Sequence, residues 1–283
     1  MVRRPTPIRT DPAPDPVDPE LEPLLSEAFA AAWSASPDGV DSGSGPLRQR
    51  LLERLAASKA ASATMVTSRL RHGGGVPVAE GVAVRTLYAA PADRPLRPGE
   101  PQRASLVELQ PGACWTVPGS SPHREWLVLR GDAQVGSVAL TVRDYHVAPA
   151  GLTAPVVRSV SGGRVFLRES VLPAQAPSQA FTVRDAESGW PDYAPGIRRR
   201  VLWQHDGQAA LLYHAEAGAS VPVHIHGHDE ECLMVQGELF LDDILLQEGD
   251  YQLAPAGTGH RITETDTGVV LYAHGDLDLK FIG

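Results

Sequence analysis

The chain has 283 residues, 42% hydrophobic and 21% charged, with a formal net charge of −9. This is the make-up of a water-soluble globular protein with room for about two domains. The acidic balance argues against a duplex DNA reader, which presents a basic face, and no apolar run approaches the roughly 18 residues of a membrane span.

In chain order, Arg3 and Arg4 are followed by no apolar stretch, so no secretory signal is expected and the expected location is cytoplasmic. Residues 1–20 hold six prolines interleaved with Asp11, Asp15 and Asp18, a composition that cannot bury a core and predicts a disordered tail. Residues 21–75 predict a helical arm. Leu21, Leu24, Leu25, Ala28, Phe29 and Ala32 follow helical spacing; Pro46 then suits a helix start, and Leu47, Leu51, Leu52 and Leu55 form a second stripe. Such stripes pack against the rest of a protein, form a dimer contact or hold a partner. Two cysteines, Cys114 and Cys232, cannot build a disulfide framework. Arg198, Arg199 and Arg200 form the one tight basic run, inside an expected strand.

From residue 76 short runs of Val, Leu, Thr and Tyr alternate with Gly/Pro turns, the texture of an antiparallel sandwich or barrel. The region is duplicated. An offset of 106 residues relates Gly112 to Gly218, Gly131 to Gly237, Asp144-Tyr145 to Asp250-Tyr251, and Ala148-Pro149-Ala150-Gly151 to Ala254-Pro255-Ala256-Gly257. Upstream, Gly81–Tyr88 aligns with Gly196–Trp203 at an offset of 115, so the first copy carries a longer hairpin around Pro91 to Pro101. Two copies of one β-domain explain the fixed register, with expected spans 76–172 and 178–283.

Seven of the ten histidines follow residue 200. Gly218 to Gly237 reads G-x5-H-x-H-x3-E-x6-G, and Gly249 to His260 reads G-x5-P-x-G-x2-H. On a strand, alternate side chains share a face, so His224 and His226 point inward and Ile225 outward. A short turn then brings in Glu230, and the Pro255/Gly257 turn presents His260. Three imidazoles and one carboxylate suit a divalent ion such as zinc, iron, nickel or manganese, with zinc expected first. Without an ion they would be costly to bury together. Glu231 faces the other side of its strand. Cys232 shares the Glu230 face and is expected to be a small buried hydrophobe. His228 is expected in solvent. His214 is either a neighbour of the ligands or structural, and His205 and His274 are expected to be structural. In the first copy the four ligand positions become Pro118, Ser120, Arg124 and Ala154, so no metal is expected there; His123, Glu125 and His146 lie off register.

These two motifs are the signatures of the cupin superfamily, which implies two tandem double-stranded β-helix (jelly-roll) barrels behind the helical arm. Glu264 stands where the second motif usually has Asn. Phe181-Thr-Val-Arg, Trp190, Pro195-Gly196-Ile-Arg-Arg-Arg-Val-Leu-Trp203 and the two metal motifs together resemble the ChrR-like cupins. The resemblance spans about residues 181–275, with 81–170 as a degenerate copy. In that family a zinc-binding cupin follows a helical domain that holds an extracytoplasmic-function sigma factor inactive, in the response to reactive oxygen species. The resemblance implies metal ligation by His224, His226, Glu230 and His260, a regulatory role, and a sigma factor or other protein as partner of the arm. The family's sigma-binding domain uses His and a Cys-x2-Cys pair for zinc, whereas the first histidine here is His72 and the first cysteine Cys114. Similar cupins include metal-dependent dioxygenases that cleave diketones. The alternative expectation is therefore an oxidoreductase with a small organic substrate in the C-terminal barrel. A homodimer is also expected, and direct nucleic-acid or membrane contact is not.

Overall fold

The computed structural model describes residues 49–50, 52–53, 56, 64–119, 122–148 and 155–282. The Pro-rich tail and most of the expected helical arm lie outside these residues, as do Ser120 and Ala154. Met1–Glu53 and Arg54–Gly283 are separate compact units. In the first, Gln49, Arg50, Leu52 and Glu53 are helical, and Gln49 Nε2 donates to Glu53 Oε1 at 2.8 Å, one turn on. The helical expectation does not extend to residue 75: Val66–Ser68 is a strand. Among the described residues no helix is long and apolar enough to cross a membrane.

The second unit is mainly β. We number its strands β1 (Val66–Ser68), β2 (Val76–Ala79), β3 (Val82–Ala89), β4 (Pro101–Leu109), β5 (Cys114–Thr116), β6 (His123–Val135), β7 (Val138–Thr141), β8 (Tyr145–Ala148), β9 (Val156–Arg158), β10 (Gly163–Ser170) and β11 (Phe181–Val183). There follow β12 (Asp192–Ala194), β13 (Ile197–His205), β14 (Gln208–Ala215), β15 (Ser220–Val221), β16 (His224–Ile225), β17 (Glu230–Leu241), β18 (Ile244–Gln247) and β19 (Tyr251–Ala254). The last are β20 (Gly259–His260), β21 (Thr263–Glu264), β22 (Val269–Asp276) and β23 (Lys280–Phe281).

The pairing repeats. One sheet runs β11-β8-β6-β10-β4-β3-β2 and the other β1-β19-β17-β22-β14-β13-β12, each with three shorter strands attached. The two edge strands are exchanged. β11 opens the second repeat in sequence yet pairs with β8 of the first, and β1 precedes the first repeat yet pairs with β19 of the second. Equivalent ion pairs fix both crossovers: Arg69 Nη1 meets Asp250 Oδ2 at 3.0 Å and Arg184 Nη1 meets Asp144 Oδ2 at 2.9 Å. The same aspartates accept the N–H groups of Leu70 and Asp185.

Alternation along the central strands builds three cores. Cys232, Met234, Leu271 and Ala273 face a C-terminal core, while Trp126, Val128, Val165 and Leu167 face an N-terminal one. Their neighbours Leu233, Tyr272, Leu127 and Phe166 point the other way, into a core that the two sheets share. Both faces of these strands are therefore covered, so their sequences read as nearly continuous apolar runs. Burying each such side chain contributes about 1.5–3 kcal/mol. Gly131 and Gly237 hold equivalent places, with φ of 69° and 78°. A Cβ at either would collide with the carbonyl of Gly162 or Gly268, just before the adjoining strand, so both motif glycines are required by close backbone approach.

Candidate metal centre

A separate three-stranded sheet, β20-β16-β23, carries two of the four expected ligands. His224 on β16 lies directly opposite His260 on β20. Gly259 permits this approach, because a Cβ there would strike the His224 carbonyl. The ladder continues as His226 N–H donates to the Thr258 carbonyl and Gly257 N–H to that of His226, each at 2.8 Å. His224, His226 and His260 are buried while Ile225 is 39% exposed, so the alternation read from the motif is the one observed. Glu230 begins β17 and faces the three rings.

The four side chains converge. Ring centroids are 5.3 Å apart for His224–His226, 5.7 Å for His224–His260 and 4.9 Å for His226–His260. Glu230 Oε2 lies 2.9 Å from His226 Nε2 and 4.0 Å from His260 Nε2. One ligand atom each from His224, His226 and Glu230 falls within 4.8 Å of the others. His224 Nδ1 donates to the Pro222 carbonyl at 2.9 Å, and His260 Nδ1 lies 3.3 Å from Asp242 Oδ2. Both contacts leave Nε2 as the free lone pair, the arrangement that orients a metal ligand.

The polar atoms that remain test the fit. His226 Nδ1 and Nε2 and His260 Nε2 are buried with no hydrogen-bond partner. His226 Nε2 is close to Glu230 but not aligned with it, as two ligands of one ion would be. Burial alone would raise the Glu230 carboxyl, but His226, His260 and His224 together hold it down at about 2. Burial holds the His224 ring below its ordinary value. An N3O set of this kind fits a divalent ion.

Beside the ligands, the C-terminal core contains a cavity of about 70 Å³, lined by Val221, Cys232, Leu239 and Leu271 with His224, Glu230 and His260 at its polar end. The first repeat explains its origin. At the offset of 106, Val221 and Cys232 correspond to Trp115 and Trp126, both buried in the N-terminal core. The carboxylate position is Arg124, whose Nε donates to Glu169 Oε1 at 3.0 Å and whose Nη2 donates to the Pro118 carbonyl at 3.2 Å. Indoles fill the first interior, and a paired guanidinium stands where the second repeat has its acidic ligand.

The other expected candidates separate clearly. His214 packs on Trp190 at 5.7 Å, away from the ligands. His228 is partly exposed, and its Nδ1 is held by Asp276, which also accepts the Gly227 N–H. Cys232 is buried, and burial pushes its thiol well up, so it is a neutral wall of the cavity. His146 meets Thr182 Oγ1 at 2.9 Å across the exchanged strand. Glu231 turns away, as its strand parity predicts, and enters a buried polar cluster in the shared core. There the Arg168 guanidinium lies between Glu125 and Glu231, Tyr145 donates to Glu125, and Tyr251 donates to Glu231 at 2.7 Å. Sequence reasoning does not find this cluster. The available signal is that Glu125/Glu231 and Tyr145/Tyr251 both obey the repeat offset.

Residues 178–278 match the ChrR Cupin-like domain family. Solved structures of similar fold include protein Ylba from E. coli (14% identity, 75% of this chain and 90% of that one, TM-score 0.58). Another is a single-site mutant of oxalate decarboxylase OxdC from Bacillus subtilis (14%, 75% and 77%, 0.55). A third is a candidate dioxygenase from Nostoc punctiforme PCC 73102 (16%, 64% and 71%, 0.53). At these identities the likeness shows the cupin fold alone. No curated protein matches the chain.

Proposed function

We propose that this chain, whose residues 178–278 are a ChrR cupin-like domain, is a cytoplasmic bicupin that holds one divalent ion at His224, His226, Glu230 and His260 and acts as a regulatory sensor. The observation that carries the reading is that ligand atoms of His224, His226 and Glu230 lie within 4.8 Å of one another, with His260 Nε2 4.0 Å from Glu230 Oε2 and buried ring nitrogens without hydrogen bonds. The Mn(II) centers of Bacillus subtilis oxalate decarboxylase lend a precedent for a divalent ion in this fold. When bound, the ion would supply positive charge and a Lewis-acidic position facing the cavity. The chain's own part is to fix two Nε2 lone pairs through Pro222 and Asp242, keep Glu230 ionised and exclude water with apolar walls. Its regulatory partner, a sigma factor or another protein, would engage the part of the expected arm that precedes β1, residues 21–63.

Two measurements test this. Protein purified without added metal should carry an ion at the four residues, zinc by preference, and His226→Ala should lose it. Tagged full-length chain should retain a sigma factor that a chain lacking residues 1–63, which keeps β1, does not; failure of that retention would remove the regulatory part.

The cavity favours a second reading, a metal-dependent dioxygenase acting on a small organic substrate. Cys232→Trp copies the first repeat and should fill the chamber while leaving metal content unchanged. Under this reading the iron-loaded chain consumes oxygen with a diketone, and Cys232→Trp abolishes that uptake. Silence of the iron-loaded chain across diketones and aromatic acids would exclude it.

A further inference from the structure

The shared core holds a second group of three histidines and a glutamate, remote in sequence from the first motif. His123 comes from β6, His205 from the end of β13 and His274 from β22, and all are 2% exposed or less. His205 Nε2 and His274 Nε2 are 3.1 Å apart. Glu125 Oε1 lies 3.7 Å from His123 Nε2 and 4.0 Å from His274 Nε2.

A hydrogen bond between the two imidazoles does not satisfy the group. Whichever ring donates, His205 Nδ1 remains buried and without a hydrogen bond, Asp206 Oδ2 standing 3.7 Å away. His123 has neither Nδ1 nor Nε2 bonded, although a neutral imidazole must carry one N–H. Two nitrogens bound to one tetrahedral ion at about 2.0–2.1 Å are separated by about 3.3 Å, close to the His205–His274 spacing. Around Arg168 there are two carboxyl groups, Glu125 and Glu231, for one guanidinium. His205 and His123 both pack on Trp203, whose ring lies 4.3 Å from the first and 5.2 Å from the second, so the ring directions are fixed by packing.

We propose that His123, His205, His274 and Glu125 form a second transition-metal site between the two sheets, one that takes an imidazole-preferring ion such as zinc. It differs from the first centre in that its ligands come from both repeats, and all four are 2% exposed or less. The first centre draws on one repeat only. Among the described residues only His224, His226 and Glu230 already have three ligand atoms mutually within 4.8 Å, so the wider pairs of the second set must close by at least about 1.5 Å on loading to reach the spacing of ligands on one ion. The ion would then join β6 to β13 and β22 and act as a structural link between the repeats.

The test uses the full chain and zinc as the probe. Protein exposed to zinc while folding, then dialysed, should retain about two ions per chain, and His226→Ala should retain about one. In that variant cobalt(II) substitution should still give the visible absorption of a tetrahedral nitrogen-rich site. Adding His123→Gln and His205→Gln should remove the second ion and the absorption. If the last variant does not fold, His226→Ala alone decides. A zinc-free, cobalt-silent His226→Ala protein overturns this proposal while leaving the first centre intact, as does an ordered water found between His205 and His123 in zinc-soaked crystals. Loss of the first ion alone, with one ion retained, separates the two proposals.

Discussion

At the scale of single residues, the candidate centre works by subtraction. The second repeat has His224, Val221 and Cys232 where the first has Pro118, Trp115 and Trp126, and Glu230 where the first has Arg124. Small side chains create the cavity, and donor atoms replace a proline ring and a guanidinium. The Glu230 carboxyl, held at about 2 in the folded chain, gives a pH signature. Its folded pKa lies below the unfolded value of about 4.3, so the stability it contributes is present above that value and is lost as pH falls toward about 2. Metal-free protein should therefore lose melting temperature between about pH 4.3 and 2, and Glu230→Gln should flatten that limb when the two titrations are compared. Equal slopes would show that the histidines do not hold the carboxylate charged. The four ligands are legible in the sequence because strand parity and two turns are local properties. Glu231 is legible only as facing away; what it meets, Arg168 and Tyr251, depends on how two distant sheets pack.

At the scale of elements, the repeats are visible in the sequence but their exchange is not. A constant offset reports that two segments share a fold, and β6/β17, β8/β19 and β10/β22 match accordingly. It says nothing about which sheet an edge strand joins. β1 is three residues long and falls within the expected helical arm, because Met65-Val66-Thr67-Ser68 is too short to show a period. Its place is fixed instead by tertiary groups: Asp250 accepts from Arg69, the Leu70 N–H and the Gln247 N–H. Asp250→Ala would leave the Leu70 and Gln247 N–H groups without this acceptor and Arg69 with the Leu245 carbonyl alone, and should destabilise the chain by about 2–4 kcal/mol. For a unit of this size the melting temperature should fall by roughly 5–15 °C. A change within about 2 °C of wild type, or about half a kcal/mol, would mean that the exchanged strand is held by its backbone ladder alone.

At the scale of the whole second unit, the shared core makes one cooperative body of two repeats. Leu127, Phe166, Leu233 and Tyr272 bury against one another across the sheets, and Arg168 bonds Glu125, Glu231 and the Gly99 carbonyl at their centre. Arg168→Met should cost about 3–5 kcal/mol, because it leaves two buried carboxyl groups without their cation. Glu125→Gln and Glu231→Gln added to it should recover a large part. Calorimetry should show one transition for residues 54–283 in the wild type; two separate transitions would show that the repeats unfold independently.

The central requirement is that the four groups of the C-terminal repeat share one ion. Crystals of the zinc-loaded full-length chain, recorded on both sides of the zinc absorption edge, test it most directly. The expected result is an anomalous peak within coordination distance of His224 Nε2, His226 Nε2, Glu230 and His260 Nε2, absent from crystals of the His226→Ala chain. Four ordered side chains around solvent density, with no anomalous signal among them, would contradict it.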